Sequence, residues 1–344
     1  MDLLGAAMRH SLTTFALLCT LCLVFVQLAS ASPHHEHGLR PPNRALATLI
    51  APTDLYVAPT NSSSKLATLE PGREMVINEQ NGDWLRVFAN VDPPESMALE
   101  QPELPSANQP TPISGWVPDR GLVTAATPNG DQILFGAAEA QEDAASETDP
   151  PPGAAMAARL LYQRVVEMFP QSRLVPEAIW RAADIRWQLQ KAEVESLPSA
   201  EAQQSYLREQ MDENEMRYLL HHYRHTRWAA MAAFAMLDNQ LCGAWQGTEK
   251  CPEREADLYL HYAGEYPDSP RAPQALYNAA WREAAAGDMW QADGNPKRAA
   301  QDRHEATSIA AELEQKYPQS DEAFRAATLA YKVAQGMAVY AETP

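Results

Sequence analysis

A four-residue motif recurs along the C-terminal two-thirds of the chain, and it limits the folds that this region can adopt. The motif is an aromatic residue, Pro, any residue and Ser, and its complete copies are Phe169-Pro170-Gln171-Ser172, Tyr266-Pro267-Asp268-Ser269 and Tyr317-Pro318-Gln319-Ser320. A degenerate copy, Tyr223-Arg224-His225-Thr226, lacks the proline. Repetition of this kind is typical of stacked helical hairpins, which bind partners more often than they catalyse reactions.

The motif has a mechanical interpretation, and we call each copy a joint. Proline lacks an N–H donor and disfavours helical conformation in the residue before it, so a helix is predicted to end at the aromatic residue. The closing Ser or Thr is suited to cap the next helix. Four residues before the aromatic residue of each joint lies an apolar or aromatic residue: Val165, Leu219, Tyr262 and Leu313. Nine residues after the same aromatic residue lies an alanine: Ala178, Ala232, Ala275 and Ala326. The joints therefore predict a helix, a tight turn and a closely packed second helix, used four times.

From residue 154 onward the chain is predicted to be helical almost throughout. The predicted helices lie near 154–169, 173–190, 200–224, 227–240, 252–266, 270–286, 297–317 and 321–340. The stretch from Tyr259 to Trp281 resembles the tetratricopeptide-like repeats of bacterial envelope proteins. The resemblance implies an all-α tetratricopeptide-like solenoid over 154–340 that binds a protein partner. It specifies a fold better than a function, because such repeats serve many partners.

Residues 45–124 are predicted to form short β-strands separated by Pro, Gly, Asn and Ser. The predicted strands are Ala45–Ile50, Asp54–Val57, Lys65–Leu69, Glu74–Asn78, Trp84–Ala89 and Gly115–Val117. The dipeptide Asn81-Gly82 predicts a tight hairpin turn between the fourth and the fifth.

Four segments of this region, in order, resemble the bacterial SH3-like domain: Leu55-Tyr56-Val57-Ala58-Pro59, Leu69-Glu70-Pro71-Gly72, Asn81-Gly82-Asp83-Trp84-Leu85-Arg86-Val87 and Ser114-Gly115-Trp116-Val117. The resemblance implies a small all-β SH3-like barrel over 45–124. Two features depart from the family pattern. Val57-Ala58 stands where the family often has an arginine, and a proline-rich insert, Asp92–Pro112, lengthens the loop before the last tryptophan strand.

Five aromatic residues are candidate ligand contacts. Tyr56, Trp84 and Trp116 are predicted to line a groove for a cell-wall or protein peptide, as aromatic residues do in domains that bind such ligands. The alternative is that the two tryptophans fill the core of a small barrel. Trp245 and Trp290 fall between predicted helices, where helical periodicity does not require burial. They are candidates for exposed contacts, with packing within the loops as the alternative.

The N-terminal segment has the features of a secretory signal. Residues 1–31 combine Arg9 with an apolar run and an Ala29-Ser30-Ala31 cleavage site. A flexible tail containing histidines is expected over 32–44. Residues 125–153 carry six acidic side chains and end in Pro150-Pro151-Pro152-Gly153, so an extended or disordered linker is predicted there.

Two cysteines follow the predicted signal, Cys242 and Cys251. An even number at short spacing in an exported chain favours a disulfide, with free thiols as the alternative. The formal net charge is −18, and no segment is basic enough to follow a phosphate backbone, so nucleic acid is a poor candidate partner. No further membrane-spanning segment is expected after signal cleavage.

Motifs for catalysis or cofactor binding are not evident in the sequence, and neither a cofactor nor a metal site is predicted. The pair His221 and His225 lies one helical turn apart but lacks a local third ligand, so a solvated helix face is the prediction. His34-His35-x-His37 near the N-terminus has the composition of a copper or nickel ligand set, but a disordered polar tail is the prediction there.

These observations together predict a non-enzymatic exported adaptor in the periplasm or outside the cell. The β-domain would contact peptidoglycan or a peptide, and the helical repeats would bind a protein partner of the cell envelope. The alternative is a cell-wall-modifying enzyme, or its regulatory subunit, with a site assembled from scattered acidic residues and histidines.

Overall fold

A computed structural model describes residues 45–89, 112–197, 209–243, 245 and 248–339. The predicted signal, the N-terminal tail and nearly all of the proline-rich insert lie outside the described residues.

Seven antiparallel strands form one sheet. They are β1 (Ala45–Leu49), β2 (Thr53–Tyr56), β3 (Lys65–Leu69), β4 (Glu74–Asn81), β5 (Trp84–Ala89), β6 (Ile113–Pro118) and β7 (Leu122–Thr124). Their order is β3-β2-β6-β5-β4-β1-β7. The six predicted strands are confirmed, and β7 was not predicted because three residues are too few for an alternating pattern to stand out.

The sheet is open, so the prediction of a closed barrel is wrong. Closure would require hydrogen bonds between the two edge strands. The short strand β7 pairs with β1, while β3 pairs with β2, and the structure records no ladder between these edges in the described residues. The sheet still encloses a small core of its own, to which Leu55, Val87 and Val117 contribute fully buried side chains.

Two glycines are required by the backbone of the sheet. Gly82 has a φ of 57° and occupies the first central position of the β4–β5 hairpin, where Asn81 pairs with Trp84. This confirms the predicted turn. Gly115 of β6 lies against β2, and a Cβ there would approach Leu55 Cγ to 2.6 Å. Any larger residue would push the two strands apart.

Nine α-helices follow in the described part of the chain. They are α1 (Gly130–Ala145), α2 (Ala154–Met168), α3 (Val175–Ser196), α4 (Asn214–His222), α5 (Arg227–Ala235), α6 (Lys250–Glu265), α7 (Ala272–Ala292), α8 (Pro296–Lys316) and α9 (Asp321–Ala334), with a 3-10 helix at Met236–Gln240 after α5. All eight predicted helices correspond to α2–α9. Of the helix predicted over 200–224, residues 200–208 lie outside the described part, residues 209–213 are not helical, and α4 begins at Asn214.

Helix α1 contradicts the prediction of an extended or disordered segment over 125–153. Its residues Leu134, Phe135 and Ala138 are buried and pack against Tyr162 of α2 and Val123 of β7. Acidic composition suggested disorder, but four of the six acids belong to this helix: Glu139 and Asp143 are exposed, while Asp131 and Glu142 accept hydrogen bonds from Ser172 and Tyr162. The sheet and the helices therefore share a core through this segment.

All four joints adopt the same turn. Each aromatic residue ends its helix with a φ between −123° and −131°, and its N–H donates to the carbonyl four residues earlier. The N–H of the closing Ser or Thr then donates to the aromatic carbonyl at 2.9–3.0 Å in every copy. Thr226 and Ser320 cap the next helix directly, whereas α3 and α7 begin three residues after their serines. The predicted helix, turn and helix is confirmed at each joint.

The spacing of apolar residues and alanines that is repeated at the four joints reflects how the helices pack against each other. The four alanines nine residues after the aromatic residues are fully buried, as are Val165, Leu219 and Leu313 before them, and Tyr262 is nearly so. Because alanine carries only a methyl group, neighbouring helices approach closely at these points. The aromatic rings of the joints are half-buried, and Tyr317 donates from its hydroxyl to the carbonyl of Pro267 at 2.6 Å, linking one joint to the next.

The common turn predicts the effect of restoring proline to the degenerate joint. We expect Arg224→Pro to leave the fold unchanged and to raise the free energy of unfolding by about 0.4–1 kcal/mol, because it restricts the unfolded chain. Tyr223 already has the backbone conformation of its counterparts before proline. Urea denaturation measures the change. Pro267→Arg is the reverse control and should be destabilising by a similar amount, and a clear loss of stability in Arg224→Pro would contradict the prediction.

Candidate functional site

A groove of about 220 Å³ lies between successive hairpins and is the best candidate for a binding site. It is bounded by α3, by α5 with the 3-10 helix that follows it, and by α6 and the start of α7. The lining residues are Trp180, Asp184, Gln188, Lys191, Met231, Phe234, Ala235, Asp238, Tyr259, Arg271, Gln274 and Asn278. Three hairpins contribute to it, so the groove exists only when they are stacked.

Helical periodicity explains which side chains face the groove. Trp180, Asp184 and Gln188 are four residues apart on α3, so they lie on one face of the helix. Gln274 and Asn278 follow the same spacing on α7. The four-residue spacing of these polar side chains is visible in the sequence, but polar residues four apart are common on exposed helices. Only the packing of three hairpins shows that these faces converge.

Aromatic side chains form the floor of the groove. Trp180 and Tyr259 are buried, and Phe234 packs beside Tyr259 with ring centroids 6.0 Å apart. The guanidinium of Arg271 lies 5.7 Å from the ring of Phe234. Large rigid rings beside polar groups are typical of surfaces that hold a peptide side chain.

The polar groups at the rim are held in place by one another. Lys191 Nζ lies 2.8 Å from Asp238 Oδ2, and Arg271 donates to Gln274 Oε1 at 2.8 Å. Burial raises the pKa of Asp184, while the hydrogen bond from Gln188 and the charge of Arg271 oppose the shift. The lining contains no Ser, Thr, Cys or His among the residues described, so its chemistry is that of hydrogen bonding and contact.

The sheet brings together the three aromatic residues predicted there. Tyr56 pairs with Trp116, which pairs in turn with Arg86, so these side chains form a row across three strands. Trp84 packs edge-on against Tyr56 at 5.7 Å. These residues are half-buried and lie on the face opposite the sheet's core, and the structure does not use them as core residues. An aromatic surface flanked by arginine results.

The other two predicted tryptophans make inward hydrogen bonds. Trp290 lies within α7, which corrects its placement in a loop, because α7 extends to Ala292. Its indole N–H donates to Glu253 Oε1 at 2.7 Å. Trp245 does lie in a loop, where its indole N–H donates to Glu255 Oε1 at 3.2 Å and its ring packs against Trp281 at 5.4 Å. Both are half-buried.

Cys242 and Cys251 form a disulfide, as predicted. The loop that it closes is attached to a buried carboxylate, Glu255, which accepts from the N–H of Cys242 at 2.7 Å and from Arg282 Nε at 2.6 Å. The ion pair of Glu255 and Arg282 is nearly inaccessible to solvent. Sequence reasoning missed this pair, because charged residues in a helix are by default expected at the surface.

A second group of carboxylates lies between α6, α7 and α8. Burial raises the pKa of Glu283 to about 8, and the negative charges of Asp302 and Glu253 add to the shift. Burial also raises the pKa of Asp302 to about 6; the charge of Arg298 opposes the shift and the negative charge of Glu253 adds to it. Asp302 Oδ1 lies 3.4 Å from Arg298 Nε, whereas Asp302 Oδ2 is buried without a hydrogen-bond partner among the described residues.

The remaining predicted clusters have no site geometry in the described residues. His221 and His225 are exposed, as is His222 between them, and the histidines of the N-terminal tail lie outside the described part. Within the described ranges, no three or more His, Cys, Asp or Glu side chains are arranged to hold a metal ion.

No protein-family model matches the chain, and no curated protein matches it.

The disulfide is consistent with an exported protein. Of the helices that the structure describes, none is long and apolar enough to cross a membrane.

Removing the disulfide is expected to weaken the fold. The bond closes a loop between residues nine positions apart. On the chain-entropy estimate, Cys242→Ser with Cys251→Ser should lower the free energy of unfolding by about 2.5–3 kcal/mol. Urea denaturation without reductant measures the change. Reductant should destabilise the wild-type chain and leave the double variant unaffected, and an equal effect on both would contradict the prediction.

The buried carboxylates predict a dependence of stability on pH. Because the pKa of Glu283 is about 8 in the folded state and 4.5 in its unperturbed form, the folded state binds the proton more tightly. Stability is therefore undiminished below about pH 4.5 and falls as the pH rises towards 8. We expect Glu283→Gln to raise the free energy of unfolding at pH 8 by ~1–3 kcal/mol and to have little effect at pH 4.5.

Unfolding titrations at both pH values test this effect of Glu283→Gln. Glu314→Gln on the exposed side of α8 is the control and should change stability equally little at both. A gain that is the same at pH 4.5 and pH 8 would show that it does not arise from the titration of Glu283.

Proposed function

We propose that this chain is a non-enzymatic exported adaptor whose helical hairpins bind a segment of a protein partner in the cell envelope. The observation that carries the proposal is the groove between α3, α5 and α7, which three hairpins build together. Its aromatic floor and its hydrogen-bonding rim suit a polypeptide side chain. The groove is smaller than the ~300–1,000 Å³ of a pocket for a small molecule or cofactor.

The proposed architecture is an SH3-like domain followed by tetratricopeptide-like repeats. Support for the repeats comes from four joints with one turn geometry and one pattern of buried alanines. Support for the SH3-like domain comes from the antiparallel strands that carry its four sequence segments. The row of Tyr56, Trp116 and Arg86, with Trp84 beside it, is the proposed contact for cell wall or a peptide.

Export to the periplasm or the cell exterior is part of the same proposal. It rests on the predicted signal with cleavage after Ala31 and on the pairing of Cys242 with Cys251, which an oxidising compartment maintains. The strongly negative net charge argues against nucleic acid as the partner.

A cell-wall-modifying enzyme, or its regulatory subunit, is the second candidate. Converging carboxylates with raised pKa values, Glu283 and Asp302 beside Glu253, are the observation that favours it. It ranks second because Glu283 and Asp302 are buried, whereas a general acid must reach its substrate. Release of soluble fragments from purified peptidoglycan, lost in Glu283→Gln, would favour the enzyme.

Site-specific photocrosslinking in the native cells tests the adaptor. A photoreactive amino acid is placed at Gln188 or Gln274, whose side chains reach into the groove from α3 and α7. We expect both positions to capture the same protein, as identified by mass spectrometry. A second substitution, Asp184→Arg, should abolish capture because it fills the groove and reverses a charge.

Gln319 in the last joint is the control position, because it is exposed and lies outside the groove. Capture of the same protein at Gln319, or no common protein at the two groove positions, would reject the groove as the binding site.

A further inference from the structure

The joint at Tyr223 differs from the other three in charge although its backbone is the same. Residues 220–228 contain two arginines, three histidines and no acidic residue. The equivalent residues of the other joints contain one base each, with one acid in 166–174, two in 263–271 and three in 314–322. In a chain with a net charge of −18, one joint alone is cationic.

Turn geometry does not account for these charged residues. Arg224 and His225 replace the proline and the residue after it, yet Thr226 N–H still donates to the Tyr223 carbonyl at 2.9 Å. Arg224 and His225 are exposed. Arg227 is also exposed, and its guanidinium stacks 4.1 Å from the ring of Trp228, which orients it. In the residues that the structure describes, neither Arg224 nor Arg227 has a carboxylate partner within ion-pair distance.

An apolar groove borders α4, the helix that ends at this joint. It has a volume of about 410 Å³ and includes Val166, Ile179 and Ala182 from α2 and α3. Tyr218 of α4 borders it with about half of its surface exposed, and the Tyr218 ring lies 4.2 Å from the ring of His222. Tyr218 therefore connects the apolar groove to the cationic joint along one face of α4.

The acidic residues at the edge of this groove already have partners. Glu215 pairs with Arg159 at 2.7 Å, and Glu167 pairs with Arg164 at 2.5 Å. The arginines of the joint therefore face solvent without a neutralising carboxylate from the groove, and their charge is available to a ligand.

We propose that the cationic joint and the apolar groove together bind an acidic polypeptide segment of a partner protein that carries a bulky apolar side chain. Carboxylates of the segment pair with Arg224 and Arg227, and the apolar side chain enters the groove beside Tyr218. This surface is separate from the groove between α3, α5 and α7 and does not depend on it. A nucleic acid fits less well, because its regularly spaced phosphates would meet the acidic remainder of the chain and leave the apolar groove empty.

Fluorescence anisotropy with synthetic peptides tests the proposal on the full chain. The probe is a labelled peptide of glutamates around a central phenylalanine, compared with one in which every glutamate is glutamine and one in which the phenylalanine is glycine. We expect the acidic peptide to bind roughly tenfold more tightly than either comparison peptide, and added salt to weaken it. Equal binding of the glutamate and glutamine peptides, or no measurable binding of the acidic peptide, would overturn the proposal.

Variants locate the site. Arg224→Gln with Arg227→Gln should weaken binding of the acidic peptide roughly fivefold to tenfold. Arg173→Gln is the matched control, because Arg173 follows Ser172 as Arg227 follows Thr226 and is likewise exposed. Tyr218→Ser should weaken binding of the phenylalanine peptide, whereas Tyr331→Ser, at another exposed tyrosine, should not. Unchanged circular dichroism establishes that each variant is folded, and an equal loss in the controls would overturn the assignment.

Two further measurements identify the occupant. Polyphosphate, which has no apolar group, should compete poorly with the acidic peptide, and strong competition would indicate a general anion site instead. In analytical ultracentrifugation we expect no dimer that depends on the two arginines, that is, no dimer of the wild-type chain that dissociates in the variant Arg224→Gln with Arg227→Gln. Such a dimer would assign the surface to a second copy of this chain and overturn the proposal of a separate partner.

Discussion

The helical region depends on one repeated contact, in which the carbonyl of a half-buried aromatic residue accepts a hydrogen bond from the N–H of a Ser or Thr three residues later. The bond closes a tight turn at the same place in each hairpin and sets the direction of the next helix. The alanines that follow are then fully buried, and their small side chains let neighbouring helices approach closely. Grooves between hairpins, including the one bounded by α3, α5 and α7, are consequences of that spacing.

Charge is placed in two contrasting ways around this framework. Glu255 and Arg282 neutralise each other inside the stack and fasten the disulfide loop to it. Glu283 is buried near other carboxylates, which raises its pKa to about 8, so it holds a proton at neutral pH. Asp302 is also buried, but Arg298 lies 3.4 Å from it and opposes the rise of its pKa. The exposed arginines of the Tyr223 joint, Arg224 and Arg227, are neither buried nor paired with a carboxylate in the described residues. Buried charges here serve the fold, whereas unpaired exposed charges are available for recognition.

Much of the fold could be predicted because its signals are local. Proline before Ser ends one helix and begins the next, and Asn81-Gly82 turns a hairpin, without reference to distant residues. The segment 125–153 was mispredicted because acidic composition outweighed the apolar spacing of Leu134 and Ala138, which becomes decisive only when Val123 and Tyr162 lie against it. The candidate site was largely missed, since Gln188 and Gln274 are ordinary surface residues until their helices meet.

The sequence by itself determined the type and approximate position of most helices and strands, the pairing of Cys242 with Cys251, and the shared design of the four joints. These properties depend on hydrogen bonds and backbone preferences within a few residues. Tertiary structure alone decided that the sheet stays open and that α1 joins the sheet to the helices. It also decided that the sheet face carrying Trp84 and Trp116 is the one opposite the core. It also decided which charges are buried. These outcomes depend on contacts between residues far apart in the chain, whose free energies no local pattern contains.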